Sequence, residues 1–288
     1  MKKIGFIDYY IDEWHANNYP KWIRESRLGS EFQVALAWEE MTPEGHINID
    51  EWCAREGVAK ARSIEQVVEE CDCLVVLSPD NAERHEDLAD QALRSGKPVY
   101  IDKPIAPSLA AAQRLFDKAA AHGTPMMSSS ALRFGSTLNN ALQGPLAGEK
   151  IHYLATEGGG VFHIYLIHQI EMLVMALGTG ATHVMQNGNG PAKQMFVRYA
   201  DDRRASVTVA PGLDFRVYAS YGEDKGILLS GMDDIFTRFI DNMLEFFKTG
   251  VSPVDPRETL EIAALIEAGQ TALGTPDVWV PVPAIKGA

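Results

Sequence analysis

The chain has 288 residues, enough for about two domains on the usual scale of roughly 100–200 residues each, so its core comes from ordinary burial rather than from staples. Hydrophobic residues make up 46% and charged residues 23%, the make-up of a folded globular protein and not of a disordered one. Asp and Glu number 39 against 26 Lys and Arg, a formal charge of −13, and a field of that sign repels nucleic-acid phosphates and anionic lipid.

In chain order, the first apolar stretch follows Met1-Lys2-Lys3 and breaks at Asp8 and Asp12, which is not the pattern of a secretory leader. With three cysteines, Cys53, Cys71 and Cys73, this makes a reducing cytoplasm the expected location. Residues 4–7 read as a strand, the polar segment after them as a helix, and residues 32–38 as a second strand. Ser63 and Gln66 have capping-box spacing for a helix over 64–70, and the continuous apolar run 73–77 that follows fits a buried parallel strand. A helix over 81–94 stops at Gly96, a strand follows at 99–101, Ser108 caps a helix through His122, and Met126-Met127 is a last short strand. Such alternation predicts an α/β, doubly wound parallel sheet over residues 1–127, with ligands at the carboxyl ends of its strands.

Residues 128–288 change character. Segments 194–199, 205–209 and 215–220 are strand-like, with turn signals at Asp201-Asp202 and Pro211-Gly212, and helical segments lie at 162–177, 235–248 and 256–273. This predicts an α+β domain with a mostly antiparallel sheet, and the cleft between the halves is the default place for a site. The apolar run 161–177 is broken by His163, His168, Gln169 and Glu171, so no segment spans a bilayer. On that helix Tyr165, His168, Glu171 and Met172 share one face, so a carboxylate can orient an imidazole beside a phenol, a combination suited to acid/base work.

Four motifs occur in order: Ser78-Pro79-Asp80 ending a strand, His85 near the next helix start, Gly96-Lys97-Pro98-Val99, and Asp102-Lys103-Pro104. With Gly158-Gly159-Gly160 and the helix bearing His168, this set resembles the Gfo/Idh/MocA family, the glucose-fructose oxidoreductase, inositol dehydrogenase and rhizopine-catabolism proteins. The resemblance covers most of the chain. It implies a Rossmann domain binding NAD or NADP, followed by a substrate and oligomerisation domain. It implies oxidation of a hydroxyl on a sugar, cyclitol or related polyol, with Lys103 polarising the hydroxyl and His168 taking its proton. A homodimer or homotetramer also follows from it. Asp102 stands where the family has Glu, and Ile164 stands where it has a helping Asp, with His163 and Tyr165 on either side. Arg133 matches a position the family uses to reach cofactor or substrate.

The β-turn after the first strand departs from the family. A dinucleotide needs glycines there so that backbone N–H groups can approach its pyrophosphate. Aligned on His15, the three glycine positions hold Ile7, Tyr9 and Asp12, in the run Asp8-Tyr9-Tyr10-Ile11-Asp12-Glu13-Trp14-His15. One like-charge pair about 4 Å apart costs roughly 4 kcal/mol at an effective dielectric of about 20, so acids in this loop oppose a diphosphate. The same loop suits sugar hydroxyls, with Trp14 and His15 as substrate contacts, and Glu39 is placed to hold an adenosine ribose. Adjacent acids on a loop make a poor metal site, and none is expected. A second reading is non-redox carbohydrate chemistry, such as lyase or isomerase work, or sugar binding on the same fold with ordinary NAD(P) binding lost.

Overall fold

The computed structural model describes residues 1–187 and 190–285. They form two compact units: Met1–Ala106 with Ala110–Ser129 and Thr237–Asp255, and Pro107–Leu109 with Ser130–Phe236 and the chain from Pro256 on.

The first unit is a parallel sheet between helices. Strand β1 (Lys2–Asp8) leads through helix α1 (Trp14–Glu25) to β2 (Phe32–Glu39), then α2 (Ile49–Glu56), β3 (Ala59–Lys60), α3 (Ile64–Glu70) and β4 (Cys73–Val76). Next come α4 (His85–Leu93), β5 (Val99–Ile101), α5 (Leu109–Ala121) and β6 (Met126–Met127). The strand order β3-β2-β1-β4-β5-β6 reverses between β1 and β4, the switch point where doubly wound folds bind ligands. All four residues of β4 are buried, which is why they read as one unbroken apolar run. Ser63 caps α3 as expected, its hydroxyl accepting from the Gln66 N–H, while the Gln66 side chain reaches the Arg62 N–H instead of closing the box on Ser63. The expected helix over 81–94 begins as a 3₁₀ turn at Ala82–Arg84 before turning α-helical at His85. The three cysteines are buried free thiols, with burial pushing Cys53 and Cys71 up to about 11 and Cys73 to about 12.

The segment Thr237–Asp255 belongs to this unit although it lies far along the chain. It carries most of helix α8 (Ile235–Thr249), whose Phe239, Ile240, Met243, Leu244, Phe246 and Phe247 are buried. The Phe247 ring lies 6.5 Å from that of Phe32, and its carbonyl accepts from the Lys2 ammonium. A single boundary after Met127 therefore leaves out one amphipathic helix whose apolar face is buried in the earlier half.

The second unit holds α6 (Ser136–Gln143), β7 (Ile151–Gly158), α7 (Phe162–Leu177), β8 (Ala181–Asn187), β9 (Lys193–Tyr199), β10 (Arg204–Val209), β11 (Arg216–Tyr221), β12 (Lys225–Leu229), α9 (Pro256–Ala272) and β13 (Val280–Pro281). Its seven-stranded sheet runs β12-β11-β7-β10-β9-β8-β13 and is antiparallel except where β7 and β10 pair in parallel. Helices α7 and α9 bury Ile170, Leu173, Leu265 and Ile266 in one core with Leu154, Val197 and Val207 of the sheet. Among the described residues, no helix is long and apolar enough to cross a membrane.

Candidate functional site

In the first unit, the carboxyl ends of β1, β2, β4 and β5 border a loop whose helix-start donors are taken by a residue of its own. Helix α1 starts at Trp14, and Glu13 is its N-cap. The Glu13 carboxylate accepts the backbone N–H of His15 at 2.7 Å and that of Ala16, while the Asn17 N–H donates to the Glu13 carbonyl at 2.9 Å. The His15 and Ala16 N–H groups are orphan donors of the kind with which a helix start binds an anion, and the Asn17 bond is the first within the helix. Glu13 is buried, and burial pushes its carboxyl up to about 7, with the Asp102 charge adding and His15 opposing. Asp8, at the end of β1, is fully buried, and neither carboxylate oxygen has a hydrogen bond of good geometry among the described residues. Burial, then the charges of Glu13 and Asp102, raise its carboxyl well above the usual range, against the Tyr9 and Tyr10 amides.

Asp102 closes the cluster from the end of β5. One oxygen accepts the Tyr100 hydroxyl at 2.9 Å and the Lys103 N–H at 2.8 Å, and the other meets His15 Nδ1 at 2.8 Å. Burial alone would raise this carboxyl, but His15 and then Lys103 outweigh it and hold it well below the ordinary range. The Lys103 side chain is buried at the strand end before a cis Pro104. His85 supports that segment: it is fully buried, its Nδ1–H donates to the Ile105 carbonyl at 3.0 Å, and burial lowers its pKa. Ser78 takes a left-handed φ of 96° between β4 and the Pro79-Asp80 turn, with its hydroxyl on the Asn81 carbonyl.

The remaining residues expected at the cofactor are engaged locally. Glu39 accepts the Ile11 and Ile49 N–H groups, each at 3.0 Å, and the Thr42 hydroxyl, tying the loop to the end of β2. Tyr9 and Tyr10 are half-buried, with Arg84 over the Tyr9 ring and His46 edge-on to Tyr10. Trp14 is half-exposed and packs edge-on against Trp22. Among the described residues, no group of three or more His, Cys, Asp or Glu is arranged to hold a metal ion.

The second unit holds its polar cluster around α7. His168 is half-buried, its Nδ1 lies 2.8 Å from the Ser130 hydroxyl, and its ring sits edge-on to Tyr165 and Phe215 at 5.5 and 5.8 Å. Glu171 is fully buried and takes the Ser130 N–H at 2.9 Å and the Arg133 guanidinium. Arg133 also donates to Glu258 at 2.6 Å, so it is an ion-paired anchor of this unit. The expected carboxylate-to-imidazole contact thus runs through a serine: Glu171 fixes the Ser130 backbone and the Ser130 hydroxyl meets His168. His163 is exposed in the first turn of α7. The triple glycine has a steric reason, since Gly160 has φ 103° and a Cβ there would stand 2.2 Å from the Tyr165 ring, while one on Gly158 would meet Gln169 and Phe215. Tyr165, Phe215, Asp214, Arg216 and Asp233 line a cavity of about 720 Å³.

Ser130 escaped the sequence reading because nothing local marks it among Ser128-Ser129-Ser130. Glu13 was legible as an acid, but its role as a cap needs the start of α1 to be fixed at Trp14.

Residues 18–129 match the family model GFO_IDH_MocA, described as an oxidoreductase family with an NAD-binding Rossmann fold. No curated protein sequence matches the chain. Among solved structures, scyllo-inositol dehydrogenase from Lactobacillus casei, with bound NAD(H) and scyllo-inositol, is 14% identical over 98% of this chain and 99% of its own, at a TM-score of 0.81. The WlbA dehydrogenase from Bordetella pertussis, in complex with NADH and UDP-GlcNAcA, is 16% identical over 98% and 99%, at 0.79. Biliverdin reductase from Synechocystis sp. PCC 6803, in complex with biliverdin and NADP+, is 15% identical over 94% and 99%, at 0.71. At such identities these likenesses establish the fold, and their different ligands show that the fold does not select a substrate.

The sheet order and switch point are those of a doubly wound nucleotide-binding fold, but the turn after β1 does not fit a diphosphate as it stands. The helix-start donors are filled by Glu13, Asp102 adds negative charge beside it, and the Asp8 carboxyl is buried next to both. Residues 18–129 thus match the Rossmann model of the Gfo/Idh/MocA oxidoreductase family, and the whole chain has the two-part fold of solved dehydrogenases.

Proposed function

We propose that the chain is an NAD(P)-dependent oxidoreductase acting on a hydroxyl of a sugar, cyclitol or related polyol, with Lys103 polarising that hydroxyl and His168 taking its proton. The observation that carries this reading is His168 itself, which is held through Nδ1 by Ser130 and lies between the rings of Tyr165 and Phe215, both of which line the cavity of the second unit. The Ser130 oxygen already accepts the Leu132 N–H at 3.2 Å and has a second lone pair for an Nδ1–H of His168. That tautomer leaves Nε2 as the basic nitrogen, and the imidazolium formed by proton uptake keeps the same hydrogen bond. Lys103 offers an ammonium at the end of β5, where positive charge stabilises a developing alkoxide. Tyr165 and Phe215 give the cavity aromatic faces, and Asp214 and Asp233 give it acceptors for hydroxyls. A polyol fits this lining, and relatives that bind scyllo-inositol or a nucleotide sugar support the class. The working protein is taken to be a cytoplasmic homodimer or homotetramer.

The test is turnover of a panel of inositols and hexoses with NAD+ and NADP+, followed by nicotinamide absorbance, in the wild type and in His168→Ala. The expected result is activity on at least one polyol that falls by roughly 10²–10⁴ in the variant while its circular dichroism is unchanged. Full activity in His168→Ala would place the base elsewhere. The filled turn after β1 favours a second reading, lyase, isomerase or sugar-binding chemistry without redox turnover, and conversion or binding of a sugar with no change in nicotinamide absorbance would select it.

A further inference from the structure

The start of α1 is an anion seat that is already filled by a carboxyl group of its own chain. In doubly wound folds a dinucleotide rests its pyrophosphate on the N–H groups at the start of the helix after the first strand, because the donors and the helix dipole point there together. Here the Glu13 carboxylate takes the N–H groups of His15 and Ala16. A carboxylate and a phosphate compete for the same donors with charge of the same sign. A second, independent feature marks the place as built for this: Asp8 is fully buried at the end of β1, without a hydrogen bond of good geometry to either oxygen, and its charge is coupled to those of Glu13 and Asp102. Any further anion at this point would sit beside the carboxyl groups of Asp8, Glu13 and Asp102, with His15 and Lys103 offsetting the charge of Asp102. The loop is also braced against easy opening. Asp12 accepts from the Asn17 side chain at 3.0 Å and the Ile47 N–H at 3.2 Å, Ile11 is fully buried, and Glu39 holds the Ile11 N–H.

We propose that Glu13 is an internal competitor for the diphosphate of NAD(P), occupying the helix-start donors that the cofactor needs, so that dinucleotide binds only by displacing this side chain. The inference concerns the seat alone and stands apart from the substrate and proton roles proposed above. Its consequence is directional: removing the carboxylate while keeping a cap strengthens dinucleotide binding, the reverse of what loss of a binding residue does. Glu13→Ser is the variant of choice, since serine is a good N-cap and its short hydroxyl leaves the other donor open. Glu13→Gln keeps the size and removes the charge.

The test is calorimetric titration of NADH into the wild type, Glu13→Ser and Glu13→Gln, with inorganic pyrophosphate as competitor, each variant checked by circular dichroism. The expected result is weak binding by the wild type, tightening of at least about tenfold in Glu13→Ser with a smaller gain in Glu13→Gln, and displacement of NADH by pyrophosphate in Glu13→Ser only. If Glu13→Ser does not fold, the gain in Glu13→Gln decides. Equal or weaker binding in the folded variants overturns the proposal, as does tight binding by the wild type that pyrophosphate displaces. The readout is binding and not turnover, so a chain that oxidises no polyol could still show the expected gain.

Discussion

The loop after β1 and the cluster around α7 are both rich in groups that could do chemistry, and they differ in what those groups face. In the loop, Glu13, Asp102, His15 and Tyr100 are buried and bonded to one another or to nearby backbone, and a helix start that could hold a ligand is closed by a residue of its own chain. Around α7 the charges are equally well paired, Glu171 with Arg133 and Arg133 with Glu258, but they stand behind Ser130 and His168, next to rings that line an open cavity. The first arrangement spends its polar groups on itself. The second uses them as a support for one half-buried imidazole. Perturbed carboxylates are therefore a poor guide to the reactive residue here, because the strongest shifts lie in the closed cluster.

If the loop cluster is structural, its loss is felt in stability. Asp102→Ala removes the acceptor of the Tyr100 hydroxyl and Lys103 N–H together with the partner of His15. Breaking such a buried pair costs roughly 3–5 kcal/mol, and relief of repulsion on Asp8 and Glu13 keeps the expected loss near the low end, about 3 kcal/mol by denaturant titration. A loss below about 1 kcal/mol would mean that the network contributes little and that the comparison is drawn in the wrong place.

If the α7 cluster is a support, its loss is felt in rate. Ser130→Ala is expected to lower kcat about tenfold, equivalent to about 1.4 kcal/mol, with KM nearly unchanged, and to move the pH profile of kcat because the imidazole loses the oxygen that fixes its tautomer. Ser130→Thr, which restores a hydroxyl, should recover most of the rate. A variant that loses stability without any change in the pH profile would reduce Ser130 to its capping role at Leu132.

How much of this was legible in the sequence depended on whether a residue's partner lay close along the chain. The α7 range and β5 were read to the residue from their apolar runs and the glycine or polar stops beside them, and α3 from the Ser63 cap at its start. Helix α2 was missed although Asn48 caps it on the Glu51 N–H and Gly57 ends it with φ 70°. Strand β7 was missed because its buried face carries only Leu154 as a large apolar residue beside Thr156 and Gly158, and its place beside β10 is fixed by pairing with residues about 50 positions on. The acids of the β1 loop were visible as charges, and their conflict with a diphosphate followed. That Glu13 caps α1, that Asp102 meets His15 from 87 residues away, and that Ser130 stands between Glu171 and His168 required the fold.

The smallest expected effect is at Asp8, and it sharpens the description of the loop as a closed acidic cluster. Its carboxyl is raised in the folded chain by burial and by Glu13 and Asp102, so the folded protein holds a proton there at pH values where an unfolded aspartate, near 3.8, has lost it. Unfolding then releases a proton, and the contribution of this group to stability falls as pH rises from about 4 through its folded value. Asp8→Asn removes the titration while keeping the shape. The variant should gain on the wild type as pH rises from 5 to 8, by on the order of 1 kcal/mol, read from melting temperatures across that range. Glu13, pushed up to about 7, titrates in the same range and interacts with Asp8, so the difference between the two curves reports Asp8 together with its effect on Glu13. A difference that stays flat with pH, or that favours the wild type at pH 8, would mean that Asp8 is a stabilised anion and that the loop has room for negative charge after all.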